Sequence, residues 1–367
     1  MKSLKEKINQ FQKYLCAEGI KYSLFINMDD DKFDPNFFYL SGFRGYGLLV
    51  VGQKGKLKLY VNSMEYLRAK KSYPWVSVVK CSNSLIKQIK KDFKIGKRDK
   101  LGVDLSALTC VALNKLKQAV TCEFRDVSTA LVCLRKTKTS QEIIKIKKAC
   151  KITDEIMQSM FWNFKKFKTE TDVEAFLVSC AISRGVELSF KPIVMAGKQG
   201  MPHFKARNVK LCKGFLVIDF GIRVDGYCSD MTRTIYLGTP LVKEVELYYL
   251  ILNTQQKSIE SVSKGIHFLE LHENAASFLG KYSNKFIHGL GHGVGIQIHE
   301  APHVKPKKGI DPKNALGDML EKGDIITIEP GIYAPGKYSI RIEDTILVTE
   351  NGCEILTKTG KNLLIIK

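Results

Sequence analysis

The segment GFLVIDFGIRVDGYCSDMTRTIYLG carries two aspartates on either side of a tight-turn signal. Asp225-Gly226 is a dipeptide that favours a two-residue hairpin turn. With those two residues at the turn, Asp219 falls opposite Thr232 and Asp230 opposite Gly221. Side chains alternate along a strand, so Asp219 and Asp230 then share a face as diagonal neighbours. Two carboxylates converging in an apolar hairpin repel each other and lose hydration, and a divalent cation relieves both problems. The competing reading of this segment alone is a pair of exposed aspartates on a solvent-facing hairpin.

Residues 286–303 read FIHGLGHGVGIQIHEAPH and bring His288, His292, His299 and His303 close together. Neutral imidazole is a common ligand of divalent metals. The interleaved glycines at 289, 291, 293 and 295 lack the lysine of a phosphate-cradling loop and its strand–turn–helix setting. They read instead as small residues that let backbone approach a crowded centre. Glu329 ends the apolar run DIITIE just before Pro330-Gly331. Glu343 lies in SIRIEDTILV, with Ser339, Arg341 and Thr345 on its face and Ile340, Ile342 and Ile346 on the other. Either glutamate alone suits plain exposure equally well. Together, four carboxylates and one histidine suit two hard-to-borderline divalent ions. No thiolate accompanies them, which argues against a structural zinc site.

The elements that must position these residues lie in the second part of the chain. Strands are expected over residues 215–221, 227–237, 324–329 and 339–348. Two helices precede them. The first begins at a Thr139/Glu142 capping box and turns Ile143, Ile146, Cys150, Ile156 and Met157 to one face; the second is expected to begin at Thr171/Glu174. The polar basic stretch LRKTKTS at 134–140 reads as a linker, which puts the domains at 1–133 and 134–367. The N-terminal part alternates helices and short strands. Paired strands at 45–51 and 56–61 flank a turn at 53–55, another strand is expected at 102–105, and residues 114–119 belong to a short helix. This part contains no histidine; all seven lie between His203 and His303.

Composition excludes several classes. At 367 residues, with 44% hydrophobic and 26% charged residues, the chain suits two ordinary globular domains. The lysine-interrupted amphipathic start is no secretory signal, and no run approaches the ~20 apolar residues that span a bilayer. A cytoplasmic location follows as the expectation. The ten cysteines show no CxxC pair and read as small buried hydrophobes rather than a disulfide framework. The net charge of +21 comes mostly from lysines spread along the chain. Clusters at 87–98 and 305–308 lack the interleaved aromatics that stack bases, so a solvated basic surface is expected in place of a nucleic-acid interface.

These residues carry a family resemblance. HGLGHGVGIQIHE, with the strings DFG, SDMTRT, EPGIY and RIED, resembles the metallopeptidases of the "pita-bread" fold, which include Xaa-Pro aminopeptidases, Xaa-Pro dipeptidases (prolidases) and methionine aminopeptidases. NFFYLSGF and LRKTKTSQEI extend the resemblance into the N-terminal part, which methionine aminopeptidases usually lack. The resemblance implies an α+β architecture. A curved antiparallel sheet with helices in pseudo-twofold arrangement would be preceded by a smaller α/β creatinase-like domain that often joins a homodimer interface.

The resemblance also implies a ligand set of Asp219, Asp230, His292, Glu329 and Glu343 and two divalent ions, manganese first, with cobalt, iron or zinc as alternatives. Asp230 and Glu343 would bridge the metals, and a bridging hydroxide would attack a Xaa-Pro bond in a peptide with proline second. Glu329 would shuttle the proton. His203 and His299 would donate hydrogen bonds to substrate, with His288 and Arg341 as supports and Tyr333 assisting. His267 and His272 match nothing in the family and are expected at the surface. One position departs: where dipeptide-cleaving members commonly carry a carboxylate-binding arginine, this chain has His303, a weaker anchor, with Lys305 a nearby substitute. That tilts the expectation toward aminopeptidase action on longer peptides. The alternative reading is a metal-free scaffold binding RNA or protein, and the intact ligand set argues against it.

Overall fold

The computed structural model describes residues 2–28, 33–81, 88, 92–196, 198–303 and 319–367. The basic cluster at 305–308, including Lys305, and part of the one at 87–98 lie outside the described residues. Among the described residues no helix is long and apolar enough to cross a membrane. The chain divides into two compact units, residues 2–134 and 135–367.

In the first unit, Ser3 and Glu6 cap the helix Leu4–Ala17 reciprocally, and the helix buries Ile8, Phe11 and Leu15 on one face. Six strands follow: β1 (Ile20–Asn27), β2 (Gly47–Gly52), β3 (Leu57–Val61), β4 (Val76–Lys80), β5 (Lys100–Val103) and β6 (Glu123–Asp126). They form one mixed sheet in the order β4-β3-β2-β1-β5-β6. The hairpin expected around residues 53–55 is β2–β3, with Leu49 opposite Leu59. The short helix expected at 114–119 begins earlier, at Cys110, because the Thr109 side chain caps it. Leu24, Leu48, Val50, Leu101 and Val103 form the core.

The second unit repeats one construction, a helix pair packed on antiparallel strands. The helices Ser140–Trp162 and Glu170–Ser183 share a core with β8 (Ile193–Ala196), β9 (Gly214–Asp219), β10 (Ile222–Val224) and β12 (Thr232–Leu237), β7 (Glu187–Leu188) and β11 (Tyr227–Cys228) being short neighbours. Val242–Glu260 and Phe268–Leu279 cover β15 (Ile325–Ile328), β16 (Gly331–Ala334), β17 (Tyr338–Arg341) and β18 (Asp344–Val348). β13 (His292–Gly293) and β14 (Glu300–His303) join β15 and β18 in a five-strand sheet edged by β19 (Cys353–Ile355), and β20 (Ile365–Ile366) pairs with β12.

The Thr139/Glu142 capping box forms as expected. The next helix starts before Thr171: Thr169 and Asp172 make the box instead. The earlier start buries Glu170, whose carboxylate accepts from Arg207 Nη2 (2.8 Å) and from the backbone N–H of Ala196 (2.9 Å). His267 and His272 are half-buried, contrary to the surface expectation. His267 Nδ1 caps Phe268–Leu279 by accepting from Leu269 N at 3.2 Å, and His272 packs on the Phe286 ring, 5.1 Å between centroids.

Candidate metal centre

The strands expected to be continuous break where the carboxylates sit. The hairpin keeps its register from Asp219 opposite Thr232 to Val224 opposite Tyr227. Between β11 and β12, however, the ladder is only half kept: Phe220 N still donates to Met231 O (3.0 Å) and Ser229 N to Ile222 O (2.9 Å), but Ile222 N turns to the Ser229 side chain. Ser229 Oγ meets Thr153 Oγ1 at 2.6 Å and accepts from Ile222 N at 3.1 Å, so a buried polar knot holds the bend that turns Asp230 inward. Glu343 stands in the gap between β17 and β18, and Glu329 directly after β15.

Backbone bonds between elements hold each candidate ligand. Glu343 N donates to Thr232 O (3.1 Å) and Glu329 N to Leu290 O (2.8 Å). Thr345 Oγ1 donates to the Asp230 carbonyl (2.7 Å), and His292 N to Thr327 Oγ1 (3.0 Å). The glycines of residues 286–303 meet the expectation of close approach in part, Gly289 and Gly291 lining the cleft, and part of their work lies behind the ligands. A Cβ on Gly291 would stand 2.0 Å from Thr327 O, and one on Gly295 1.9 Å from Glu300 Oε1. They let strand backbone and a buried carboxylate close behind the site, so their smallness serves the support of the ligands.

One ligand atom from each of Asp230, His292 and Glu343 lies within 4.8 Å of the others. His292 Nε2 is 3.5 Å from Asp230 Oδ2 and 3.4 Å from Glu329 Oε1. Its Nδ1 faces Gly293 O at 3.2 Å; a carbonyl only accepts, so the ring proton belongs on Nδ1. Burial, then the nearby His299, depresses His292 to about 3, so the ring is neutral and Nε2 aims a lone pair at carboxylate oxygens. Wherever those carboxyls ionise, acceptor faces acceptor.

Asp219 stands slightly apart, its Oδ2 taking a 2.6 Å bond from Arg341 Nη2. Among the described residues, the second oxygens of Asp219 and Asp230 are buried and have no hydrogen-bond partner. Burial, then the neighbouring Glu343, raises Asp230 well above the usual carboxylate range; burial, then Glu329, does the same to Glu343. Burial also pushes Glu329 up to about 8 despite the opposing Arg341. Orphaned oxygens, an inward lone pair and mutually repelling carboxylates form a cage short of positive charge. Divalent ions fit it.

Arg341 organises the surroundings. Its Nε donates to Thr232 Oγ1 (3.1 Å), which donates to Glu343 Oε2 (2.6 Å). Its Nη1 donates to Tyr333 Oη (2.9 Å) and to Pro202 O (2.8 Å). Tyr333 Oη donates a hydrogen bond to His288 Nε2 at 2.9 Å, since His288 Nδ1 is committed to Gly289 O at 2.7 Å.

The centre opens into a cleft of about 380 Å³. His203 and His299 stand exposed on it, and burial of their nitrogens lowers both below the ordinary histidine pKa. His288 also lines it, whereas Tyr333 is buried behind, and His303 is exposed on β14 opposite His292 in register and does not line it. Sequence reasoning missed the apolar wall of Phe190, Ile193 and Ile298 and the coupling hydroxyls of Thr232 and Thr327. Only SFKPIV, an apolar string before the first aspartate, could have signalled that wall.

The arrangement has known counterparts. Residues 144–350 match metallopeptidase family M24, and residues 7–137 the creatinase/prolidase N-terminal domain. An Xaa-Pro dipeptidase of Pyrococcus horikoshii is 33% identical over 99% of this chain and all of that one. An Xaa-Pro dipeptidase of Pyrococcus furiosus is 34% identical over 98% of this chain and all of that one. The solved structure of an Xaa-Pro dipeptidase from Bacillus anthracis superposes with a TM-score of 0.87 at 30% identity, covering 99% of this chain and all of that chain. The chain belongs to metallopeptidase family M24, with a creatinase-type N-terminal domain before the pita-bread catalytic domain.

Proposed function

We propose that this M24 metallopeptidase hydrolyses the bond between an N-terminal residue and proline, with Xaa-Pro dipeptides as its substrates. The observation that carries the reading is the buried, cation-deficient cluster of Asp219, Asp230, His292, Glu329 and Glu343 at the base of an open cleft. Its full-length likeness to Xaa-Pro dipeptidases supports the shorter substrate over the longer peptides that His303 suggested.

Those five residues would hold divalent ions, and their oxygen-rich set with one imidazole and no thiolate favours manganese. Bound there, such ions supply Lewis acidity for the scissile carbonyl and a water made nucleophilic near neutral pH. The chain's own groups do the rest. Glu329, whose carboxyl burial biases toward holding a proton, accepts one from the attacking water and returns it to the leaving prolyl nitrogen. His203 and His299 are neutral, exposed donors that hydrogen-bond the substrate and the oxyanion that develops. Phe190, Ile193 and Ile298 offer the pyrrolidine ring an apolar wall. Arg341 holds Asp219 directly and Glu343 through Thr232, while Tyr333 and His288 brace it. The enzyme works in the cytoplasm as a homodimer, a reading that rests on family likeness.

Protein stripped of metal and reloaded with manganese is assayed on an Xaa-Pro dipeptide and on the tripeptide extended from it. Faster cleavage of the dipeptide is expected. Preference for the tripeptide overturns the substrate, and cleavage of neither by metal-replete protein overturns the activity.

A further inference from the structure

A second acidic group lies beside the centre but faces away from it. Glu300 follows His299 directly, is buried at 6% exposure, and does not line the cleft. Its Oε1 stands 3.1 Å from Lys138 Nζ, and its Oε2 accepts from Arg135 Nη2 at 3.1 Å. The same Oε2 accepts from the backbone N–H of Gln297 at 3.3 Å, and Arg135 Nη2 also donates to Gln297 Oε1 at 2.6 Å. Burial alone would raise this carboxyl, but the Lys138 ammonium and the Arg135 guanidinium outweigh it and hold Glu300 ionised.

The turn from 295 to 300 wraps around this carboxylate. Gly295 packs so closely on it that a Cβ would overlap Glu300 Oε1, and Gly295 O accepts from Cys228 N at 2.7 Å. The cations are fixed in turn. Lys138 Nζ donates to Lys136 O (2.8 Å), and Lys138 N to Gly323 O (2.8 Å), next to the capped start of Ser140–Trp162. His299 is held differently. Among the described residues no hydrogen bond fixes its ring, which meets the edge of the His292 ring at 4.2 Å between centroids. Where His299 stands is set by its backbone.

We propose that Glu300, clamped by Arg135 and Lys138, is a positioning residue that fixes the turn 295–300 and so aims His299 and Ile298 into the cleft. Its backbone pairs with Gly293 beside the ligand His292, but its side chain touches neither the ligand cluster nor the cleft, so the carboxylate acts through the turn that carries His299. A displacement of about 1 Å in a substrate-facing donor costs up to a hundredfold in rate. Without the carboxylate two buried cations lose their shared counter-charge and the turn loses its internal anchor. The effect on turnover rests on the proposed peptidase activity; the effect on His299 does not.

The test compares wild type, Glu300→Gln, His299→Ala and the double variant, with Gln297→Ala as a milder cut of the same clamp. Metal content and His299 ring NMR signals are recorded for each folded protein, and kcat and KM on an Xaa-Pro dipeptide. Glu300→Gln is expected to keep its metal, shift or broaden the His299 signals, and lose about 10- to 100-fold in kcat/KM. In the His299→Ala background the same substitution should cost less than about threefold, because residues acting as one unit are not additive. Gln297→Ala should change the His299 signals in the same sense, and it carries the test if Glu300→Gln does not fold. Unmoved His299 signals, or a full additive loss in the double variant, overturn the proposal. A wild type that cleaves nothing overturns the activity, and the NMR comparison still decides the positioning role.

Discussion

Glu343 and Asp344 are consecutive, both acidic and both buried, yet their surroundings push them in opposite directions. Asp344 accepts from Arg233 Nη2 (2.7 Å), Lys361 Nζ (2.6 Å), Gln255 Nε2 (2.9 Å) and Thr357 Oγ1 (2.8 Å). Burial would raise it, but Arg233 and Lys361 prevail and keep it below the usual range. Among the described residues the Glu343 carboxylate accepts one bond, from Thr232, and otherwise faces Asp230 and His292, and it is raised. Neighbouring side chains leave the backbone on opposite sides, so one step along the chain leads from a completed ion cluster to an incomplete one. A buried carboxylate supplied with protein cations is structural. One packed among others without them awaits a cation from outside, and the guanidinium whose charge reaches it, Arg341, is already spent on Asp219 and Tyr333.

Substitutions at the two positions should therefore differ in kind. Glu343→Gln or Asp230→Asn is expected to lower metal content and cut kcat/KM by about 10³-fold or more, since bound metal supplies several kcal/mol to the transition state. The metal-free form of Glu343→Gln should melt no lower than metal-free wild type, because a neutral amide replaces a carboxyl whose ionised form burial and Glu329 disfavour. Asp344→Asn should do the reverse, losing about 3–5 kcal/mol of stability by stranding Arg233 and Lys361, while whatever remains folded still loads metal. Calorimetry and metal analysis on the same samples check both. Equal destabilisation by the two changes would erase the distinction.

Next in size is the bracing around Arg341. Tyr333→Phe removes the hydroxyl that links Arg341 to His288. A loss of about 10- to 100-fold in activity or metal affinity is expected, as for groups that orient metal ligands. Titration of metal binding alongside steady-state kinetics separates the two; an unchanged variant shows that the link is idle.

The smallest effect concerns pH. Asp230, Glu329 and Glu343 are raised in the folded metal-free chain, so their protonation adds stability below the unfolded pKa, and that is lost as pH rises through the folded values, about 8 for Glu329. The melting temperature of chelator-treated protein should fall between about pH 5 and 8.5, and that of metal-loaded protein should not. Asp344 has the opposite sign: its contribution is present at neutral pH and lost only in strong acid. A flat metal-free profile would mean that the three carboxylates ionise without strain.

The sequence made the ligand types legible because a turn dipeptide and period-two alternation are local rules, and Asp219 stands opposite Thr232 as they require. It concealed the interruptions at 229–231 and 342–343, since those depend on Thr153 and Thr232, far along the chain from the residues they hold. RIED reads as two like residues; only folding brings Lys361 and Arg233 to one and Asp230 to the other. The glycines were noticed for the right property, and the neighbours that need it, Thr327 and Glu300, lie on other strands.

The most direct test of the central claim is a calorimetric titration of metal-stripped wild type and Glu343→Gln with manganese, run in buffers of different ionisation enthalpy. The account predicts tight binding with proton release by wild type, because ligands held partly protonated must give up their protons, and weakened binding by the variant. Wild type that binds no manganese, zinc, cobalt or iron, or a variant that binds as wild type does, would contradict it.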